Sequence, residues 1–263
     1  MEIRELIHRI ESVAPLEAAA QWDLSGLQVA SHRTNVQKMA VCLDPVPATI
    51  TKALAIKPDF VLAHHPLTLK PNLPRRLDNY HETLRLLLSN DVTLYSAHTS
   101  LDVNSTGPAG WLAQELDLQD VQVLKPNILG AQFGFGLVGD LKTPLDTLSF
   151  LSQISKIIPV PETTVIGPEP QIINRVAYCT GSGASLLDLA ARAQTDIFIT
   201  GDVKYHAALD AQIFVLDVGH HSLEEEMMRR FAELLAKALP SVEVTFIPSA
   251  SPYRMLSSLL ATN

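Results

Sequence analysis

The sequence predicts an α/β protein built from two similar βαβ-type lobes, with mixed, mostly parallel sheets flanked by helices. Three observations predict it. Short apolar runs alternate with helical patterns, a repeat recurs within the chain, and the chemically capable side chains cluster just after strand-like runs. The strand-like runs lie at 39–43, 60–63, 92–96, 176–180, 197–200 and 213–218, each short, apolar and closed by polar or small residues. Helical periodicity lies at 48–55, 81–88, 109–115, 184–193 and 223–239. Between the two series, 124–170 is richer in Pro and Gly. It reads as one strand with a turn, FGFGLVGDL, followed by an amphipathic helix near 145–157. The lobes are therefore expected at 1–125 and 126–263, with the C-terminal helix free to pack back on the first.

The repeat has two parts. Residues 38–65 align with 175–202, placing Cys42 on Cys179, Ala53 on Ala190 and Asp59 on Asp196. VTLYSAHTSLD at 92–102 aligns with FVLDVGHHSLE at 214–224, placing His98 on His220, Ser100 on Ser222, Leu101 on Leu223 and Asp102 on Glu224. The offset changes between the two parts, so the first repeat carries an insertion, assigned to LTLKPNLPRRLDNY after His65.

Bulk properties narrow the function classes. The chain has 263 residues, 47% of them hydrophobic, enough for a large core. A formal net charge of −8 argues against nucleic acid, since no cationic excess exists to displace counterions from phosphates. The first helix-like segment lacks the apolar stretch of a signal peptide, and no apolar run is long enough for a membrane span. A cytoplasmic location is expected. The two cysteines, Cys42 and Cys179, sit in apolar strand-like runs as buried thiols and cannot form a thiolate zinc site.

Three polar clusters follow three strands: AHHPL at 63–67, AHTSLD at 97–102 and GHHSLE at 219–224. Ligands of open α/β sheets gather at the carboxyl ends of strands, so the clusters are expected to converge on one site. His64, His65, Asp102, His220 and Glu224 are the expected metal ligands, with Glu224 favoured as a bridge. Asp102 and Glu224 each stand four residues after a histidine, which places both side chains on one face once a helix has begun. Imidazoles and carboxylates without thiolate suit two divalent ions of zinc, iron, manganese or cobalt. Open coordination positions would mark a catalytic centre, in which paired ions activate water and polarise the electrophile. His98, which matches His220 by repeat, is expected to act from beside the ions as a hydrogen-bond donor or general acid and base. GDVKYH brings Asp202, Lys204 and His206 to the same strand end, with Lys204 a candidate to hold an anionic group of the substrate. His8, His32 and His81 read as surface residues. The glycines of WDLSGLQVA and FGFGLVG read as turn or packing residues, because neither segment has a phosphate-cradling pattern.

WDLSGLQVA, AHHPL, AHTSLD, TGDVKYHAALDA and DVGHHSLEEE together resemble the dinuclear metal-centre hexameric proteins, the GTP cyclohydrolase 1 type 2 homologs. They occur in that family's order and span nearly the whole chain. The first motif commonly reads WDNVGLQVG, so Leu24, Ser25 and Ala30 differ, and Ser100 replaces a common Asn. None of these changes touches a ligand position. The resemblance implies a two-lobed monomer with two metal ions at the lobe interface, the same five ligands, and a ring-shaped homohexamer. The implied activity is hydrolytic opening of the five-membered ring of GTP, releasing formate and forming dihydroneopterin triphosphate, with His98 or His206 moving protons. Two other functions fit the residues: a metal-dependent hydrolase of another nucleotide, phosphoester or heterocycle, and a non-catalytic metal-binding regulatory protein. The candidate triphosphate cations are few, Lys204 with Lys70, Arg75 and Arg76 on the inserted loop.

Overall fold

The computed structural model describes residues 1–70, 72–158, 163–254 and 256. Parts of two expected segments, residue 71 of the inserted loop and 159–162 of the junction, lie outside them. In chain order the elements are α1 (Ile3–Glu11), β1 (Gly26–Val29), β2 (Lys38–Cys42), α2 (Pro47–Leu54), β3 (Phe60–Ala63), α3 (Asn79–Ser89), β4 (Thr93–Ser96) and α4 (Thr99–Asp102). There follow α5 (Trp111–Glu115), β5 (Gln119–Asn127), β6 (Gly130–Asp146), α6 (Thr147–Ile157), β7 (Thr164–Ile166), β8 (Ile172–Ser182) and α7 (Leu187–Arg192). The chain continues with β9 (Ile197–Gly201), α8 (Tyr205–Leu209), β10 (Phe214–Asp217), α9 (His220–Ala238) and β11 (Glu243–Phe246). Two compact units result. The first is Met1–Pro108 with Glu225–Ser249; the second is Ala109–Glu224 with the described residues from 250 onward.

The first unit has a five-stranded sheet in the order β1-β4-β3-β2-β11. The strands β4, β3, β2 and β11 pair in parallel, and β1 closes the edge beside β4, antiparallel to it. β3 and β4 are buried at every position, which is why both read as continuous apolar runs rather than alternating ones. One face is sealed by Ile50 and Ala53 of α2 and Leu87 of α3, packed on Ala40, Cys42, Val61, Ala63 and Leu94. Local signals set the helix starts: Pro47 opens α2, where its missing N–H costs nothing, and Asp78 caps α3 by accepting from His81 N at 3.0 Å.

The second unit has a six-stranded sheet in the order β5-β6-β8-β9-β10-β7. Here only β8-β9-β10 pair in parallel; β5-β6, β6-β8 and β10-β7 are antiparallel. The segment expected to hold one strand with a turn is the long hairpin β5–β6. Pro126, Gly130 and Gly134 interrupt the apolar alternation that would have announced two strands, and bulges absorb the irregular pairing. The α6 helix begins as expected, with Asp146 accepting from Ser149 N at 3.0 Å. Ala177, Cys179, Ala190, Phe198 and Val215 form the core, and the Tyr178 hydroxyl donates to Ala109 O at 2.7 Å.

The repeat is visible in the local geometry of both units. Met39 pairs with Phe60 and Val176 with Ile197, so equivalent strands share one register. Asp59 Oδ2 accepts from Gln37 N and Lys38 N at 2.8 and 3.0 Å, and Asp196 Oδ2 accepts from Asn174 N and Arg175 N at 2.8 and 2.7 Å. The preceding turns each use a left-handed residue, Lys57 at φ 55° and Gln194 at φ 56°. The third strands depart by one residue: Thr93 faces Phe60, whereas Phe214 faces Ile197. The extra residue is Gly219, whose φ of 76° brings the chain back into step before His220. Among the described residues, no helix is long and apolar enough to cross a membrane.

Candidate metal-binding residues

In the first unit, three segments meet at the carboxyl ends of β3 and β4. His64 and His65 follow β3 directly, and their N–H groups donate to Leu43 O at 3.2 and 3.1 Å, which holds the turn against β2. The Ser96 hydroxyl donates to His64 O at 2.7 Å. His98 follows β4 and precedes the single turn of α4, at whose end Asp102 lies. One ring nitrogen each of His64, His65 and His98 lies within 4.8 Å of the other two. His64 is fully buried, and its Nε2 stands 3.6 Å from Asp102 Oδ1.

What these imidazoles can do follows from their other nitrogens. His64 Nδ1 is 2.9 Å from Ala97 O, and a carbonyl oxygen only accepts, so Nδ1 carries the proton. His65 Nδ1 donates to Asp44 Oδ1 at 2.7 Å, and His98 Nδ1 donates to Asp23 Oδ1 at 2.8 Å. A neutral imidazole protonated at Nδ1 keeps its lone pair on Nε2. That is the state a metal ligand needs, and a carbonyl or carboxylate behind the ring is the usual support for one.

In the second unit the same device recurs at the carboxyl ends of β9 and β10. His220 Nδ1 donates to Asp202 Oδ2 at 2.7 Å, and His220 Nε2 lies 3.0 Å from Glu224 Oε2, one helical turn on. The Glu224 side chain is buried, with its carboxyl group against Gly181. The hydrogen bond to Glu224 pushes the His220 imidazole up to about 9 against the opposing effect of burial, with Asp202 adding to the rise. A group this avid for a proton between two carboxylates occupies a place suited to a cation.

The repeat shows how the halves differ. Asp44 and His65, paired in the first unit, correspond to Gly181 and Asp202 in the second, and His64 corresponds to Gly201. The second unit thus replaces a histidine by the aspartate that supports His220, and replaces the other aspartate by a glycine that makes room for Glu224. Asp202 adopts a left-handed φ of 57°, a turn conformation that Asp tolerates and that Lys57 and Gln194 share.

The remaining expected site residues lie further out. Lys204 caps α8 and His206 is within it; both are exposed, with the Tyr205 and His206 rings 5.5 Å apart. Lys70, Arg75 and Arg76 are exposed as well. His8 and His32 are exposed and His81 half-buried. Cys42 and Cys179 are buried free thiols, and burial pushes the Cys42 thiol up, away from the reactive form.

Two supporting residues escaped sequence reasoning, Asp44 and Asp23. Burial pushes the Asp23 carboxyl up, but hydrogen bonds from His98, Ser25 and Thr99 outweigh it and hold the group well below the usual carboxylate range. Its only signal was position, beside Trp22 at the head of WDLSGLQVA. Donor type, lone-pair direction and carboxylate support all fit divalent metal ions.

The chain matches the family model described as Duf34/NIF3 (NGG1p interacting factor 3) over residues 1–252. It is 31% identical over 244 residues to a GTP cyclohydrolase 1 type 2 homolog of Methanocaldococcus jannaschii, covering 91% of this chain and 96% of that protein. It is 29% identical to NIF3-like protein 1 of Drosophila melanogaster, covering 94% and 86% respectively. Among solved structures, reduced HcgD from Methanocaldococcus jannaschii superposes with a TM-score of 0.82 at 29% identity, covering 94% of this chain and 98% of its own. A Bacillus cereus protein related to NIF3 reaches 0.88 at 19% identity over 97% and 99%, a likeness of fold.

Proposed function

The chain belongs to the Duf34/NIF3 family, and from that premise we propose that it is a hydrolase dependent on two divalent metal ions. His64, His65, Asp102, His220 and Glu224 are its ligands, and a purine nucleotide is its substrate. The observation that carries this reading is the shared state of four histidines: His64, His65, His98 and His220 each donate from Nδ1 to an oxygen acceptor. The exposed His32 also places Nδ1 3.1 Å from a carboxylate, Asp91 Oδ1, so what sets His64, His65 and His98 apart is that they combine this state with ring nitrogens within 4.8 Å of one another. When bound, the ions supply Lewis acidity and activate water for hydrolysis.

The chain's own residues supply the rest. His98 exchanges a proton at Nε2, because its Nδ1 is committed to Asp23. His206 is the second proton carrier, on an exposed helix that a substrate can reach. Lys204 holds an anionic group of the substrate. The reaction proposed is opening of the guanine five-membered ring of GTP by water, with formate released and dihydroneopterin triphosphate formed, on a homohexamer in the cytoplasm. The names of the bacterial and archaeal relatives support this substrate.

One observation favours a second reading, hydrolysis of another nucleotide, phosphoester or heterocycle. The cations available to a triphosphate, Lys70, Arg75, Arg76 and Lys204, are few and all exposed, which leaves the substrate's anionic group less specified than the metal ligands. Metal-loaded protein incubated with GTP is expected to release formate and a fluorescent pterin. Turnover of other phosphoesters or heterocycles without GTP would move the assignment to the second reading. Stoichiometric metal with no turnover on a broad panel would make the protein a non-catalytic metal binder.

A further inference from the structure

We propose that Asp23 is a positioning residue that holds His98 in a single tautomer and ring orientation, so that an electron pair rather than an N–H faces the His64–His65 cluster. The inference rests on the metal-binding reading above, but its geometry stands within the first unit alone.

The Asp23 side chain is fully buried and meets donors on both oxygens. Oδ1 accepts from Leu24 N at 2.7 Å and from His98 Nδ1 at 2.8 Å. Oδ2 accepts from the Ser25 hydroxyl at 2.6 Å, from Thr99 N at 3.0 Å and from the Thr99 hydroxyl. Three of these partners define the turn at 23–25 and the start of α4. A turn and a helix start could be satisfied by a neutral Ser or Asn without burying a charge. The contact to His98 is the one that gains from a carboxylate: the group can only accept, so the proton stays on Nδ1, and its charge strengthens Nε2 as an electron-pair donor.

Position completes the argument. The His98 ring centroid lies 5.1 Å from that of His64 and 5.4 Å from that of His65, and the Trp22 ring meets it edge-on at 5.8 Å. Ser25 reinforces the hold: its Oγ accepts from His98 N at 3.1 Å. Backbone and ring of His98 are thus both fixed by residues 22–25, some 75 positions earlier. Asp202 serves His220 in the second unit as Asp23 serves His98 and Asp44 serves His65 in the first.

The test uses the full-length chain labelled with ¹⁵N-histidine, together with Asp23→Asn and, as a control, the exposed His8→Ala. Long-range ¹H–¹⁵N correlation on metal-free protein should show His98 protonated at Nδ1 in the wild type. In Asp23→Asn, proton occupancy should shift toward Nε2. Cobalt(II) binding followed by visible absorption should persist in that variant, since His98 is not one of the five ligands proposed above. His8→Ala should keep the wild-type tautomer and band. A wild-type His98 protonated at Nε2 overturns the proposal, and so does a folded Asp23→Asn that keeps the wild-type tautomer. Should Asp23→Asn fail to fold, the wild-type tautomer decides alone. Absence of cobalt binding by the wild type would sink the metal-binding reading, leaving the tautomers to judge Asp23.

Discussion

Gly181 leaves the space that the Glu224 carboxylate fills: a Cβ at this position would overlap Glu224 Oε1 outright and stand 3.3 Å from the His220 ring. Gly181 also has a φ of 58°, which a side chain resists. The glycine is therefore tied to the carboxylate, and Gly181→Ala should displace Glu224. We expect loss of metal stoichiometry by elemental analysis, with destabilisation on the order of 1–3 kcal/mol from the left-handed backbone. Full metal content in that variant would separate Gly181 from the site.

Ligand variants should divide cleanly from other histidine variants. Glu224→Ala and His64→Ala should each lose bound metal and any hydrolytic activity together. His8→Ala and His32→Ala should keep both, since those side chains are exposed. Elemental analysis alongside turnover reads the outcome.

The paired aspartates outside the site should act on stability alone. Asp59 and Asp196 each accept from two consecutive backbone N–H groups in the two repeats. Asp59→Ala and Asp196→Ala should each cost about 1–3 kcal/mol in urea denaturation, the scale of hydrogen bonds to a charged acceptor. Metal content should not change.

Much of this was legible in the sequence, because the features are local. The runs behind β2, β3, β4, β8, β9 and β10 are apolar from end to end, and the histidines stand directly after β3, β4 and β10. The short edge strands β1, β7 and β11 were not legible, since three or four residues with partial burial leave no pattern. Nor were the supports of the histidines: Asp44 lies 21 positions before His65 and Asp23 lies 75 before His98, and only the fold brings them together. Gly219 hid for a different reason. The motif after it aligns so well that the one-residue slip within the strand passes unseen until the pairing is traced.

The two tryptophans give separate reporters. Trp22 is 61% exposed beside His98, while Trp111 is 1% exposed and donates from Nε1 to Leu223 O at 3.2 Å. Acrylamide should quench only the long-wavelength part of the emission, and Trp22→Phe should remove that part. Cobalt loading should quench Trp22 emission, and a metal-insensitive Trp22 would count against cation binding near His98.

Acid should weaken the fold through Glu226. Burial pushes its carboxyl up, but Arg229 and Arg230 outweigh that and hold it below its ordinary value. A depressed carboxylate contributes stability above its unfolded value, about 4.5, and loses it as pH falls through the folded value. Glu226→Gln should therefore be less stable than the parent near pH 7 and converge with it in acid. Thermal melting from pH 7 downward measures the difference.

The central claim is that the chain binds divalent metal through the imidazole and carboxylate groups that follow β3, β4 and β10. Elemental analysis of protein purified without added metal or chelator, repeated on Glu224→Ala and His65→Ala, tests it most directly. The account predicts two transition-metal ions per chain in the parent and a loss in each folded variant. A parent free of metal that also fails to take up zinc, iron, manganese or cobalt would contradict it.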